Sequence, residues 1–118
     1  MQGLSVAEAA QACGLKATAL RYYEQAGLIP PVARDGSGRR VFTEQDLAWI
    51  RYAVCLRSLG MGVADIARYV SAASRVDGLE EQMALLVDHL DRMLAQRTAL
   101  DHYIAVARTK LAANGVET

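Results

Sequence analysis

From Leu79 onward the chain repeats a 4-3-4-3 spacing without a slip: Leu79, Met83, Leu86, Leu90, Met93, Arg97, Leu100, Ile104, Ala107 and Leu111. Nine of these ten residues are apolar, and polar residues fill most of the positions between them. A 3.5-residue period holds such residues on one side of a helix, which predicts a coiled-coil helix of about 33 residues, roughly 50 Å long. The chain holds no second long periodic segment to cover this seam. The economical cover is another copy of the chain, an intrachain contact being the alternative. The expected homodimer contacts are Leu79, Met83, Leu86, Leu90, Met93, Leu100, Ile104 and Leu111. Heptads alone do not give the direction of pairing. Arg97 is the one charged residue on the seam and reads as a register device, or as a point where the helices splay.

The preceding residues break into short elements. At 118 residues the chain has room for one ordinary domain and an extra element. Ser5 and Glu8 form a capping-box pattern ahead of a helix over 6–12. A second helix runs from Lys16 or Ala17 to Gln25 and is closed by Gly27. Two short helices around a turn at Gly14 make a helix-turn-helix, with an ordinary helical hairpin as the competing reading. In "PPVARDGSGRRVF" two prolines bar a helix. Val32-Ala33 and Val41-Phe42 flank a turn, predicting a two-stranded wing with Arg34, Arg39 and Arg40 near its tip, against a solvated loop. Thr43 caps a third helix that stops at Gly60. A fourth covers about 63–73, and "SRVDG" is a break.

Charge narrows the function classes. Lys+Arg and Asp+Glu both count 13, so a globally basic protein is excluded and any nucleic-acid contact must rest on local charge. Eleven of the thirteen cations are arginine, which favours planar contact with phosphate or carboxylate. The stretch "TALRYYEQAGLIPP" puts an arginine and two tyrosines in a row on the second helix. Cys13 and Cys55 lack metal spacing and make no disulfide framework. His89 and His102 lie on the predicted long helix with no nucleophile nearby in sequence, and no phosphate-cradling glycine loop occurs, so the chain does not read as an enzyme. Asp88, His89 and Asp91 do not share one helix face; they read as a solvated face, with no metal site and no cofactor. No apolar run approaches the length of a membrane span, and no charged-then-apolar leader begins the chain, which points to a cytoplasmic protein with no membrane partner.

The stretch "ALRYYEQAGLIPPVARDGSGRRVFTEQDLAWIRYAVCLRSLGMGVADIARYV" resembles the MerR family of transcriptional regulators. It carries the family's "RYYE…GL.PP" recognition-helix signature, its "R…SG.R.F" wing, and its "L..LG.…I" third and fourth helices. With the terminal helix, the resemblance covers nearly the whole chain. It implies a mainly α fold: a winged helix-turn-helix DNA-binding domain over 1–75, then a long antiparallel coiled-coil dimerisation helix over 79–112. It also implies that Arg21, with Tyr22 or Tyr23, holds the phosphate backbone as the second helix enters the major groove. Tyr22 is expected on the DNA side and Tyr23 in the core. Thr18 is a further base or phosphate contact, and Arg34, Arg39 and Arg40 grip flanking phosphate. Phe42 stands where relatives often have Tyr, which removes one donor. Lys16 stands where relatives have a Ser or Thr cap, leaving that start uncapped or passing the role to Thr18.

By the same resemblance the partners are double-stranded promoter DNA, a second copy and RNA polymerase. The dimer bends and untwists an operator whose promoter elements are spaced too far apart, a deformation of several kcal/mol. "WIRYAVCLRSLGM" is similar to the lone-cysteine branch typified by NmlR and AdhR, which implies aldehyde or thiol-stress sensing through Cys55. Arg51, one turn earlier and about 40° away, is the cation that would favour a thiolate there. An inert core thiol at Cys55 is the alternative, as are a non-covalent effector or none, and a coiled-coil adaptor whose arginines are merely solvated. Cys13 reads as packing.

Overall fold

The computed structural model describes residues 3–118; Met1 and Gln2, with which the expected DNA-binding domain begins, lie outside the described residues. The chain is mainly helical: α1 (Val6–Ala12), α2 (Ala17–Gln25), α3 (Glu44–Ser58), α4 (Val63–Ala73) and α5 (Leu79–Ala113). It divides into two compact units, Met1–Leu85 and Leu86–Thr118, so the boundary falls inside α5. The first turns of α5 belong to the N-terminal unit, where Gln82 Nε2 donates to the Tyr69 carbonyl at 3.2 Å and Leu85 is buried.

Each helix starts and stops for a local reason. Ser5 Oγ accepts from the Glu8 amide at 3.2 Å while the Glu8 carboxylate accepts from the Ser5 amide at 2.9 Å, a reciprocal cap on α1. Thr43 and Asp46 do the same for α3, at 3.2 and 2.9 Å. α2 begins at Lys16 with no side-chain cap, and Thr18 does not take over. Gly14 at φ 71° turns the chain between α1 and α2, a left-handed conformation that suits glycine. In the N-terminal unit Leu20, Leu28, Phe42, Ile50 and Ile66 are fully enclosed, so α2, the wing base, α3 and α4 all contribute to one core.

The wing is narrower than the expected pair of strands. Its antiparallel pairing is the single Arg34–Arg40 bridge, bracketed by hydrogen bonds from Val41 N to Ala33 O (2.9 Å) and from Asp35 N to Arg39 O (2.8 Å). Pro30 and Pro31 lack amide donors, so the ladder cannot extend backward. Phe42 spends its backbone on Leu4 instead, exchanging two bonds of 2.8 Å.

α5 runs 35 residues, and Leu79, Met83, Leu90, Leu100, Ile104 and Leu111 of the seam are all exposed. One expectation fails on this helix. His89 is not on a solvated face: it is buried, and its Nε2 has no hydrogen-bond partner among the described residues. It stands four residues after Leu85 and so shares that buried side of α5, away from the exposed Asp88 and Asp91. Among the described residues no group of three or more His, Cys, Asp or Glu is placed to hold a metal ion, and no helix is long and apolar enough to cross a membrane.

Candidate nucleic-acid interface

α2 is amphipathic in the sense that decides its use. Leu20 and Tyr23 point into the core, while Thr18, Arg21, Tyr22 and Gln25 are exposed. These four follow i, i+3, i+4, i+7 and therefore share one face. The adjacent tyrosines separate as helix geometry requires: Tyr22 is 47% exposed and Tyr23 only 9%, with their rings edge to face at 6.4 Å. Gln25 is the member that sequence reasoning missed, although its spacing from Thr18 was legible. With Lys16 at the helix start and no acid in the first turn, the whole face presents donors. Arginine, tyrosine and amide groups of this kind can hold phosphate oxygens and approach base edges.

The wing places its own cations. Asp35 Oδ1 accepts from the Ser37 amide (2.9 Å), the Ser37 hydroxyl (2.8 Å) and the Arg39 amide (3.0 Å), which closes the hairpin tip. The Ser37 hydroxyl and these amides hold the Asp35 carboxyl below its ordinary pKa. Arg34 Nη1 donates to the Gly38 carbonyl at 2.8 Å across the same turn. Arg34 and Arg39 are exposed. Arg40 is not splayed outward with them: it is half-buried and pairs with Glu24 of α2. Arg21, for which Glu24 was the nearest partner in sequence, makes no ion pair among the described residues. The one acid on α2 is thus neutralised from the wing side, which leaves the Arg21 guanidinium exposed without an ion pair among the described residues, while Arg34 and Arg39 are exposed at the wing, Arg39 near the Asp35 carboxylate.

The two thiols differ. Cys13 is half-buried, with Sγ 4.0 Å from the Leu47 carbonyl; burial pushes its pKa up, and the Arg51 guanidinium pulls it back. The Arg51 guanidinium thus reaches Cys13, a relation that the sequence spacing did not show. Cys55 is exposed, not enclosed in the core. Beside it, Tyr52 shares a 3.2 Å hydroxyl–hydroxyl hydrogen bond with Tyr69. Burial, that bond and nearby Cys55 leave the Tyr52 pKa pushed up to about 12.

This arrangement of paired short helices, arginine-tipped wing and long terminal helix can be set against known proteins. The signature described as MerR HTH family regulatory protein matches residues 4–73, more than half of the chain. The chain belongs to the MerR family. A helix-turn-helix transcriptional regulator of Haemophilus influenzae is 35% identical over 109 residues, covering 92% of this chain and 81% of that protein. The regulator AdhR of Bacillus subtilis is 36% identical over 92 residues, covering 77% and 66% respectively. Among solved structures, HiNmlR, a MerR family regulator lacking the sensor domain and bound to promoter DNA, is 34% identical. It superposes with a TM-score of 0.83 over 93% of this chain and 88% of that one. These likenesses support the NmlR/AdhR-like branch of the MerR family, which is a family of regulators and not of enzymes.

Proposed function

We propose that this MerR family chain is a transcriptional regulator that grips promoter DNA as a homodimer and distorts it. The observation that carries this reading is the exposed row Thr18, Arg21, Tyr22 and Gln25 on α2, accompanied by the exposed wing cations Arg34 and Arg39. The likeness to a relative bound to promoter DNA supports it. Two such heads per dimer supply the phosphate contacts that offset the several kcal/mol of bending and untwisting. An effector acts by favouring one of two dimer geometries, and RNA polymerase is the enzyme that reads the result.

The 79–112 seam is the proposed dimerisation element, and its residues favour antiparallel pairing. Its spacing reads the same from both ends. Antiparallel helices therefore seat Leu79 on the partner's Leu111, Met83 on the partner's Ala107, Leu86 on the partner's Ile104 and Leu90 on the partner's Leu100. Arg97 then meets the partner's Met93, along which its methylenes can lie. Parallel pairing in register would instead bury Arg97 against the partner's Arg97, an uncompensated like-charge contact. Antiparallel pairing also sets Glu80 beside the partner's Arg108.

Exposure of Cys55 favours a sensing role for its thiol over an inert core one. The thiolate sulfur adds to an aldehyde carbonyl carbon, the carbonyl π pair moves to oxygen, and that oxygen takes up a proton; no oxidant is consumed. Binding of the purified protein to its own upstream DNA, followed by fluorescence anisotropy across a salt series, tests the main reading. Nanomolar affinity that falls steeply with salt is expected. Failure to bind that DNA at any salt concentration, or a preference for unrelated duplex, would overturn it.

A further inference from the structure

A cavity of about 820 Å³ opens between the end of α2, the root of the wing, α3 and α4, all within the N-terminal unit. It falls within the roughly 300–1,000 Å³ that sites for small organic molecules occupy. Local sequence explains why it is open. Pro30 and Pro31 hold the chain extended at the wing root. On α4, Ala67, Ser71 and the C-cap Ser74 recur at i, i+4 and i+7, so along this line the helix offers only small side chains and the gap stays unfilled.

The lining is mainly apolar, through Ile29, Pro30 and Val70, and the half-buried Trp49 supplies an aromatic wall. The Tyr52 ring lies edge to face against the indole at 6.4 Å, which steadies its plane. Glu24 is the charged group among the lining residues. Its bond with Arg40 runs from Nε to Oε1, and Oε2 takes no hydrogen bond among the described residues. A carboxylate accepts at both oxygens, so one acceptor is left open in the cavity wall.

We propose that this cavity binds a small, flat, uncharged heteroaromatic molecule bearing an amino group, which stacks on Trp49 and donates to Glu24 Oε2. Trp49 and the proline rings favour a flat ring, and the open acceptor calls for an N–H donor. A cation would also suit an indole and a carboxylate. Arg40 already balances that carboxylate, however, and a second cation would leave an enclosed charge uncompensated. The exposed Gln45 amide and the Ser71 hydroxyl, both in the lining, are left to the ring nitrogens.

The consequence is regulatory. Glu24 and Arg40 tie α2 to the wing, so a molecule lodged against Glu24 and the wing root holds the two elements of the DNA grip in one relation. Ligand and operator then strengthen each other's binding by the same factor. Binding of the ligand needs one head alone; its effect on the operator rests on the proposed function.

The test uses the isotope-labelled full chain and NMR. Trp49 is the sole tryptophan, so its indole N–H gives a single resonance. An aminoquinoxaline, neutral at pH 7, should shift that resonance saturably. Quinoxaline, which has no donor, should bind about tenfold more weakly, the loss of one charge-assisted hydrogen bond. Ser71→Phe, which fills the cavity from an exposed position, should abolish the shift while thermal denaturation still reports a folded chain. A second arm needs no variant: Overhauser contacts should join the probe to both the Trp49 ring and the Val70 methyls. Saturating aminoquinoxaline should tighten operator binding severalfold in anisotropy titrations. No saturable shift, equal affinity for the two quinoxalines, tighter binding of benzylammonium, or a probe that touches Trp49 without Val70 overturns the site. Unchanged operator affinity at saturation overturns its regulatory role. A chain that takes up the probe yet never binds its upstream DNA sinks the proposed function and leaves the site standing.

Discussion

Glu24 on α2 and Arg40 on the wing form a partly buried ion pair that ties the recognition helix to the hairpin beside it. The two residues stand 16 apart in sequence, and the pair neutralises the acid nearest the exposed Arg21–Tyr22 face. Arg40 thereby acts first as a positioning residue. Glu24→Gln makes the protein more cationic, which on charge alone would strengthen DNA binding. The loss of a fixed wing should dominate, weakening binding about fivefold at a stability cost of about 1 kcal/mol. Anisotropy titrations with thermal denaturation check this; tighter binding by Glu24→Gln would show Arg40 to be a direct phosphate contact instead.

Arg21 and the two tyrosines should separate cleanly by role. Arg21→Ala is expected to lower operator affinity by roughly tenfold to a hundredfold and to reduce the slope of log K against log salt by about 0.9, one phosphate contact, with the melting temperature unchanged. Tyr22→Phe should weaken binding by about 1 kcal/mol and leave stability alone. Tyr23, packed in the core, should tolerate Phe in both measurements, whereas Tyr23→Ala should destabilise the fold by about 3 kcal/mol.

The wing tip should respond to acid in a defined window. Asp35 is held below its ordinary pKa of 3.8, so its bonds to Ser37 and Arg39 contribute fully above that value. They are lost as pH falls through the lower, folded value. The Ser37 and Arg39 amide resonances, followed by NMR from neutral pH downward, should stay constant through pH 5 and move only in strong acid. In Asp35→Asn that movement should disappear.

Arg97 offers a measure of pairing direction. Placed on the partner's Met93, it is tolerated but not optimal, so Arg97→Leu should lower the dimer dissociation constant roughly tenfold, with operator spacing unchanged. Arg97→Glu should leave the dimer about as stable as the native one, since no like charge faces it. A large gain from Arg97→Glu in a one-to-one mixture with the native chain, read by sedimentation equilibrium, would instead indicate parallel Arg97–Arg97 contact.

Much of this protein is written locally. The capping boxes at Ser5–Glu8 and Thr43–Asp46, the glycines that end α1, α2 and α3, and the bounds of α4 at Val63–Ala73 follow from residues a few positions apart. The 4-3-4-3 seam fixed α5, and helix rotation alone separated the exposed Tyr22 from the buried Tyr23. Those signals survive into the fold because hydrogen bonds and periodicity within one helix do not depend on what it packs against.

What tertiary structure decided involves residues brought together from afar. The partner of Glu24 is Arg40 and not its helix neighbour Arg21; Arg51 reaches Cys13, far from it in sequence; His89 is buried; Phe42 pairs with Leu4 and leaves the wing a single bridge. Sequence spacing lists the side chains that one helix can present together. Which distant group satisfies a buried charge or a spare backbone amide is chosen only when the elements pack, because that choice minimises desolvation over the whole core and not along any one segment.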